Sequence, residues 1–252
     1  MQDLTPPLAK SGLPPCVLCQ VRAIGVCAKA DDNTLAKLER HKVYCSYPAG
    51  STIVYAGDEL KYAGTIMAGV ACISHLLEDG RRQAIGLMHP GNFLGRPGKD
   101  HAVYAIEAIT DVTLCGFERK GFERLLLKAP ELNDRLLEMM LNELDLARDW
   151  MLTLGRKTAR ERTCSLLVHL VYQQNSSIKD RTSSEDLIVD IIMTREQFGD
   201  FLALTLETVS RQFTLLKKDG FISPVGKTTF AIPDFRALIE QAGDDTDGDG
   251  LF

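Results

Sequence analysis

Apolar and polar positions keep two different periods along this chain. Over 43–117, short runs rich in β-branched and aromatic residues alternate with Gly, Asp and Pro turns: S-T-I-V-Y, G-T-I-M-A, A-C-I-S-H-L-L, A-I-G-L-M, V-Y-A-I-E-A-I and V-T-L-C-G-F. Runs of that length and spacing predict an antiparallel sandwich or roll. The stretch E-D-G-R at 78–81 carries Asp79-Gly80, a tight-hairpin signal because glycine accepts positive φ. Short helices are expected at 33–42 and 119–129, and the Pro-rich residues 1–15 are expected to be loose.

Beyond Pro130 the period lengthens. Leu137, Met140, Leu144, Ala147, Met151, Leu154 and Thr158 recur at alternating steps of three and four. This heptad seam predicts one long helix that pairs with a second copy as a homodimer. Leu136, Met139, Leu146 and Trp150 form a second stripe, expected to pack on the chain's own sheet domain. Helical patterns follow at 159–172, 195–202 and 206–219, with a polar loop over 173–185. The run F-I-S-P-V-G-K-T-T-F-A-I predicts a β-hairpin turning at Gly226-Lys227, a wing beside the last two helices.

Those two helices carry the first chemical signal. Thr194 is an N-cap with Gln197 three residues on, a capping box. Phe198, Phe201 and Leu202 give an apolar face, Leu204-Thr205 makes the turn, and the second helix is expected to bury Leu206, Val209, Phe213 and Leu216. Its other face shows Glu207, Ser210, Arg211 and Thr214, a helix-turn-helix surface for double-stranded DNA. An Arg guanidinium matches guanine O6 and N7, and a Glu carboxylate accepts from cytosine N4. Glu207, Ser210 and Arg211 are the candidate base readers; Thr194, Lys217, Lys218 and Lys227 suit phosphates.

Charge changes this picture little. A net charge of −5 over 252 residues does not advertise nucleic-acid binding, but 156–227 carries a modest basic excess, and the local field governs a DNA contact. The acidic residues at 244–249 are expected to form a disordered tail. The start M-Q-D-L-T-P-P-L has no leader pattern and no stretch is long and apolar enough to span a bilayer, so a cytoplasmic protein with no membrane partner is expected.

The second chemical signal is C-V-L-C-Q-V-R-A-I-G-V-C, with Cys16, Cys19 and Cys27 in one short segment. Seven cysteines without an export signal argue for reduced thiols available to metal. Gly25 is read as giving the loop its backbone freedom. A fourth ligand could be Cys45, Cys72, Cys115 or Cys164, and spacing does not choose among them. Zinc and an iron–sulfur cluster are equally compatible with the spacing. His75, His89 and His101 are read as surface or hydrogen-bonded residues rather than haem ligands.

The stretch L-T-L-E-T-V-S-R resembles the recognition helix of the CRP/FNR superfamily, and its Glu-x-x-Ser-Arg arrangement resembles the FNR branch (fumarate and nitrate reduction regulators). The seven-residue gap before Cys27 is similar to the α-proteobacterial variant. The resemblance implies an α+β chain in five parts: a cysteine-rich segment at 1–30, a β-roll of the cyclic-nucleotide-binding, jelly-roll type at 31–129, a dimerisation helix at 130–158, a winged helix-turn-helix at 159–240 and the tail at 241–252. It implies that Cys115, in D-V-T-L-C-G-F-E at the end of the roll, joins Cys16, Cys19 and Cys27 on a [4Fe–4S] cluster. It further implies an oxygen-responsive regulator reading a TTGAT-N4-ATCAA-like palindrome; an activator also needs a patch for RNA polymerase, and the exposed turn near Asp79–Arg82 is the candidate. The Gly-Glu-Leu and Arg-Ser elements of the cyclic-AMP binders are missing from G-N-F-L-G-R-P-G-K-D-H-A, so no cyclic nucleotide is expected. Two other readings stand beside this one: a regulator of the same type with structural zinc or another effector, and a redox enzyme. Against the enzyme, no dinucleotide loop or Ser/His/Asp set is present.

Overall fold

The computed structural model describes residues 8–9, 15–175 and 187–243. Of the loop expected over 173–185, Gln173 and Gln174 belong to a helix and residues 176–185 lie outside the described ones; of the tail expected over 241–252, Gln241 ends a helix and residues 244–252 lie outside them. The chain forms two compact units that divide between Glu143 and Leu144.

The first unit is an antiparallel roll. One sheet has the order β1-β2-β9-β4-β7, with β1 Leu8–Ala9, β2 Lys42–Tyr47, β4 Tyr62–Ala68, β7 Phe93–Leu94 and β9 Val112–Glu118. The other has β3-β8-β5-β6, with β3 Thr52–Val54, β5 Ala71–Leu76, β6 Arg82–Met88 and β8 Ala105–Ala108. Their shared core holds Cys45, Ile53, Ile66, Ala71, Met88, Leu94, Val112 and Leu114. The Asp79-Gly80 hairpin joins β5 to β6, with Gly80 at φ 87°. The Pro-rich start is not wholly loose: Leu8 and Ala9 pair with Cys45 and Tyr44 at the edge of the first sheet. The two-residue strands β1 and β7 were too short to leave a period in the sequence.

A second core lies on the outer face of the five-stranded sheet. Here α1 (Asp32–His41), α2 (Arg119–Leu126) and the start of α3 (Pro130–Arg156) contribute Leu35, Leu38, Phe122, Leu132 and Leu136 against Ala63, Phe93 and Phe117. Asp31 caps α1 through the Thr34 N–H, and Glu118 caps α2 through those of Lys120 and Gly121. Leu136 and Met139 pack here as the second stripe requires. Met140, expected in the dimer seam, is half-buried and packs against this same core. Trp150 departs from its stripe: it sets its ring edge-on to Phe201 at 4.7 Å and near His169 at 5.7 Å, inside the second unit. A helix turns 100° per residue, so a stripe of this length drifts from one partner to the next.

The second unit is built around α4 (Ala159–Gln174), in which every residue from 163 to 171 is buried. A capping box of Thr158 and Glu161 starts it. Around it stand α5 (Arg195–Leu202), α6 (Leu206–Lys218), α7 (Phe235–Gln241) and a sheet of order β10-β12-β11, with β10 Leu187–Asp190, β11 Ser223–Pro224 and β12 Thr229–Ile232. The predicted hairpin is β11–β12; β10 and α7 were not anticipated. No helix among the described residues is long and apolar enough to cross a membrane.

Candidate cysteine site and nucleic-acid interface

Strand alternation decides where the distal cysteine points. In β9, Val112 and Leu114 enter the roll core, while Cys115 and Phe117 face the outer core. The register pairs Cys115 with Tyr44 of β2 and Thr65 of β4, so Tyr44, Cys115 and Thr65 form one row across three strands. The same alternation turns Cys45, one step from Tyr44, into the roll core with no exposure. Cys72 is buried on the other sheet and Cys164 in the second unit. All seven cysteines are free thiols.

The segment from Cys16 to Ala30 lies over this row as a succession of tight turns, beginning with one 3-10 turn at Cys16–Leu18. The Cys16 N–H donates to Glu39 Oε2 at 2.6 Å, and Lys42 Nζ stands 3.9 Å from Cys16 Sγ. Cys19 Sγ is 3.9 Å from Met67 Sδ on β4. Cys16, Cys27 and Cys115 pack against one outer core. Gly25 does not use a positive φ, contrary to the reading from sequence; its reason is space. A Cβ there would meet the Val21 carbonyl at 3.1 Å and Thr65 Cγ2 at 3.2 Å. Gly91 needs both conformation and space, with φ +97° and a would-be Cβ 2.7 Å from Ile24 Cδ1.

The thiols feel one another. Burial, and then the charge of Cys16, Cys27 and Cys19, pushes the Cys115 thiol up to about 12. Burial and the Glu39 carboxylate push Cys16 to about 12 as well, with Lys42 opposing. Burial opposes ionisation of Glu39, yet hydrogen bonds from Cys16 and Lys42 prevail and hold it at about 2. Such a group of thiols becomes thiolates only with added positive charge.

Among the described residues, no three His, Cys, Asp or Glu side chains converge tightly enough for a single metal ion. Four sulfurs around one zinc stand about 4 Å apart, given Zn–S bonds of ~2.3 Å. An iron–sulfur cube spreads its thiolates to separate corners. The four thiols lie in electrostatic reach of one another, and thiolates serve as ligands to zinc and to an iron–sulfur cluster alike.

A clip joins the cysteine segment to α3. Arg135 donates through Nη2 to the Ile24 carbonyl at 2.6 Å and through Nε to that of Gly25 at 3.3 Å. Its Nη1 pairs with Glu138 at 3.0 Å, and Glu138 also takes Lys29 at 2.9 Å. Thr34 Oγ1 donates to Glu131 at the helix start. Sequence reasoning missed Arg135, Glu138 and Lys29, whose partners lie more than 100 residues away, and Glu39 and Lys42, whose contacts with Cys16 span more than 20 residues; neither separation leaves a local signal.

The described stretch of α3 leaves Leu137, Leu144 and Met151 exposed, with Leu141 beside them. Ala147 is also exposed, and Leu154 is half-buried. Leu141 was not in the predicted seam.

In the second unit, Thr194 and Gln197 form the capping box of α5. Ala203, at φ 53°, makes the left-handed turn, and Thr205 caps α6 through the Thr208 N–H. Val209, Phe213 and Leu216 are buried, with Phe213 set 5.2 Å from Phe198. Leu206 is 47% exposed rather than buried, since the first helical residue precedes the packed turn; Gln212 takes a place on the inner face instead. Glu207, Ser210, Arg211 and Thr214 stand exposed, as do Thr194, Lys217, Lys218 and Lys227. The arrangement presents a donor–acceptor face on a helix of 13 residues, beside a wing.

Residues 44–129 match the cyclic nucleotide-binding domain family, and residues 161–241 the Crp-like helix-turn-helix domain. The chain is 46% identical over 233 residues to the transcriptional activator protein FnrL of Cereibacter sphaeroides, covering 92% of this chain and 94% of that protein. It is 33% identical over 208 residues to the nitrogen fixation regulation protein FixK of Bradyrhizobium diazoefficiens, covering 82% and 86%. The structure of FixK2 from Bradyrhizobium japonicum superposes with a TM-score of 0.70 at 28% identity, covering 79% of this chain and 96% of that one. With a β-roll, a long helix and a winged helix-turn-helix in the order those relatives require, the chain belongs to the CRP/FNR family of DNA-binding transcriptional regulators and is not an enzyme.

Proposed function

We propose that this regulator senses oxygen through a [4Fe–4S] cluster held by Cys16, Cys19, Cys27 and Cys115, and binds a TTGAT-N4-ATCAA-like palindrome as a homodimer. The observation that carries the reading is the row Tyr44–Cys115–Thr65, which turns the one distal thiol toward the three proximal ones. When bound, such a cluster supplies an oxygen-labile tie between the N-terminal segment and the roll. The chain's own residues do the rest. Cys115 anchors the site on the middle strand of a sheet, and Ile24 seats over Gly91. Arg135 and Glu138 then hold the ordered 24–29 backbone against α3. Order in that backbone steadies the part of the helix that carries Leu137, Leu141 and Leu144, the seam on which a second copy docks.

In a dimer, two α6 helices enter successive major grooves one DNA turn apart. Glu207 and Arg211 read a C·G pair and Ser210 its neighbour, while Thr194, Lys217, Lys218 and Lys227 hold phosphates. The exposed Asp79 hairpin is the candidate RNA polymerase contact. Cyclic nucleotide is not the effector in this reading. At the start of α2, Arg119 is buried against Asp100 of the loop before β8 at 2.7 Å and against Glu123 at 2.8 Å, and Glu123 also takes the Gly98 N–H. That cation is committed to the chain's own carboxylates, not to a ligand phosphate.

The test is protein prepared without air. About four iron and four sulfide per chain, a brown colour and tight palindrome binding that air abolishes are expected for the wild type. Cys115→Ala should lose iron and DNA binding together while the second unit stays folded. Colourless protein with one zinc, or equal DNA binding before and after air, refutes the reading.

A further inference from the structure

One charged pair, an enclosed Lys42 and a partly exposed Glu39, stands on the face that holds the four thiols and has no part in the mechanism above. Lys42 opens β2 and shares its outer face with Tyr44, the register neighbour of Cys115. Its side chain is only 9% exposed. Nζ lies 2.7 Å from Glu39 Oε1, 3.9 Å from Cys16 Sγ and 5.4 Å from the centre of the Tyr44 ring. The other Glu39 oxygen accepts the Cys16 N–H at 2.6 Å. One carboxylate therefore fixes both the backbone of Cys16 and the ammonium beside its sulfur.

A lysine this enclosed is costly unless its charge is used. The Glu39 carboxylate takes one of the three ammonium donors, and the Tyr44 side chain is within reach of another. A further donor faces the sulfur at a distance that closes to a hydrogen bond once the sulfur carries charge. Hydrogen bonds to cluster sulfurs and net local charge are two of the levers by which a protein sets an iron–sulfur potential.

We infer that Lys42 is the charge-compensating residue of the thiolate site: it donates to the Cys16 sulfur and raises the reduction potential of the bound cluster, while Glu39 positions it. The inference rests on the iron–sulfur reading above. The redox event is simple: the cluster gains one electron from a mediator, and no bond forms or breaks. A nearby fixed positive charge stabilises the more negative, reduced state. Glu39, of opposite sign, acts the other way. This separates an electrostatic role from a merely structural one, since loss of either partner breaks the pair equally.

The experiment is a potentiometric titration of full-length protein loaded without air, with iron, sulfide and a melting curve measured on each sample. Lys42→Met should move the oxidised-to-reduced ratio at fixed potential about tenfold toward oxidised, a fall of ~59 mV for one electron. Lys42→Arg should stay near the wild type, and Glu39→Gln should shift upward. Lys42→Met that keeps the wild-type melting curve but takes up no iron supports the assignment, since the thiolates then lack their counter-charge. A Lys42→Met chain that does not fold is replaced by Lys42→Gln, read in the same way. Equal potentials in wild type and Lys42→Met, or shifts of the same sign in Lys42→Met and Glu39→Gln, overturn it. A wild type without iron and sulfide instead defeats the underlying cofactor reading, a separate result.

Discussion

His89 sits in the turn before β7 with 7% of its surface exposed, and burial holds its imidazole down at about 4 against an ordinary value near 6.5. The folded state therefore resists a proton that the unfolded chain accepts. Stability from this residue is complete above pH 6.5 and falls as pH drops toward 4, by about 3 kcal/mol at ~1.4 kcal/mol per pH unit. Denaturant titrations at pH 7 and pH 4 should show a smaller acid loss in His89→Gln than in the wild type; parallel losses would place the acid sensitivity elsewhere. The turn matters because Gly91, two residues on, is the seat of Ile24 in the cysteine segment. Cys115 shows how one residue step decides chemistry: its side chain faces the thiols, and that of Leu114, one residue earlier, faces the roll.

At the scale of elements, α6 divides its labour by face. Val209, Phe213 and Leu216 fix the helix on α5 and the wing, and Lys217 lies 5.8 Å from the Phe230 ring of β12. Arg211 is exposed on the opposite face, near the middle of the helix. Arg211→Ala should cost about 1–3 kcal/mol of discrimination at one base pair. Lys217→Ala should weaken all sequences alike and flatten the salt dependence by about one counterion. Binding isotherms on the palindrome and on single-base variants separate the two; unchanged preference in Arg211→Ala would mean a different docking. The helix α3 is likewise two-sided: Leu132 and Leu136 hold the roll, Arg135 and Glu138 hold the cysteine segment, and Leu137, Leu141 and Leu144 remain uncovered.

For the whole molecule, that uncovered stripe is the dimer proposal. Leu144 is 45% exposed and Met151 73% in the single chain. Leu144→Glu should leave the melting curve of the apo chain nearly unchanged, because the site is exposed there. In the loaded protein it buries two carboxylates at a two-fold seam, at a cost of about 3 kcal/mol or more, roughly a hundredfold in dimer dissociation constant. Sedimentation velocity without air reads this directly; a Leu144→Glu protein that stays dimeric would move the interface away from the stripe.

Much of this architecture was written in period and punctuation. Six strand-like runs, the Asp79-Gly80 turn, the Thr194–Gln197 capping box and the bounds of α5 follow from local rules, because caps, turns and alternation act within a few residues. The helix-turn-helix face was legible for the same reason: a 3.6-residue period separates Val209 and Phe213 from Glu207 and Arg211. The cysteine site was only half legible. Three of its thiols lie in one segment, but the direction of the fourth depends on the register of β2, β9 and β4, which long-range pairing sets. The sequence by itself determined a sheet domain, a long amphipathic helix and a DNA-reading pair of helices with a thiol-rich start. Only the tertiary structure decided which distal cysteine faces that start, that Lys42 and Glu39 stand beside it, and that Arg135 clips it to α3. Those contacts join residues far apart in the chain, and nothing in a local pattern encodes which distant partner closes them.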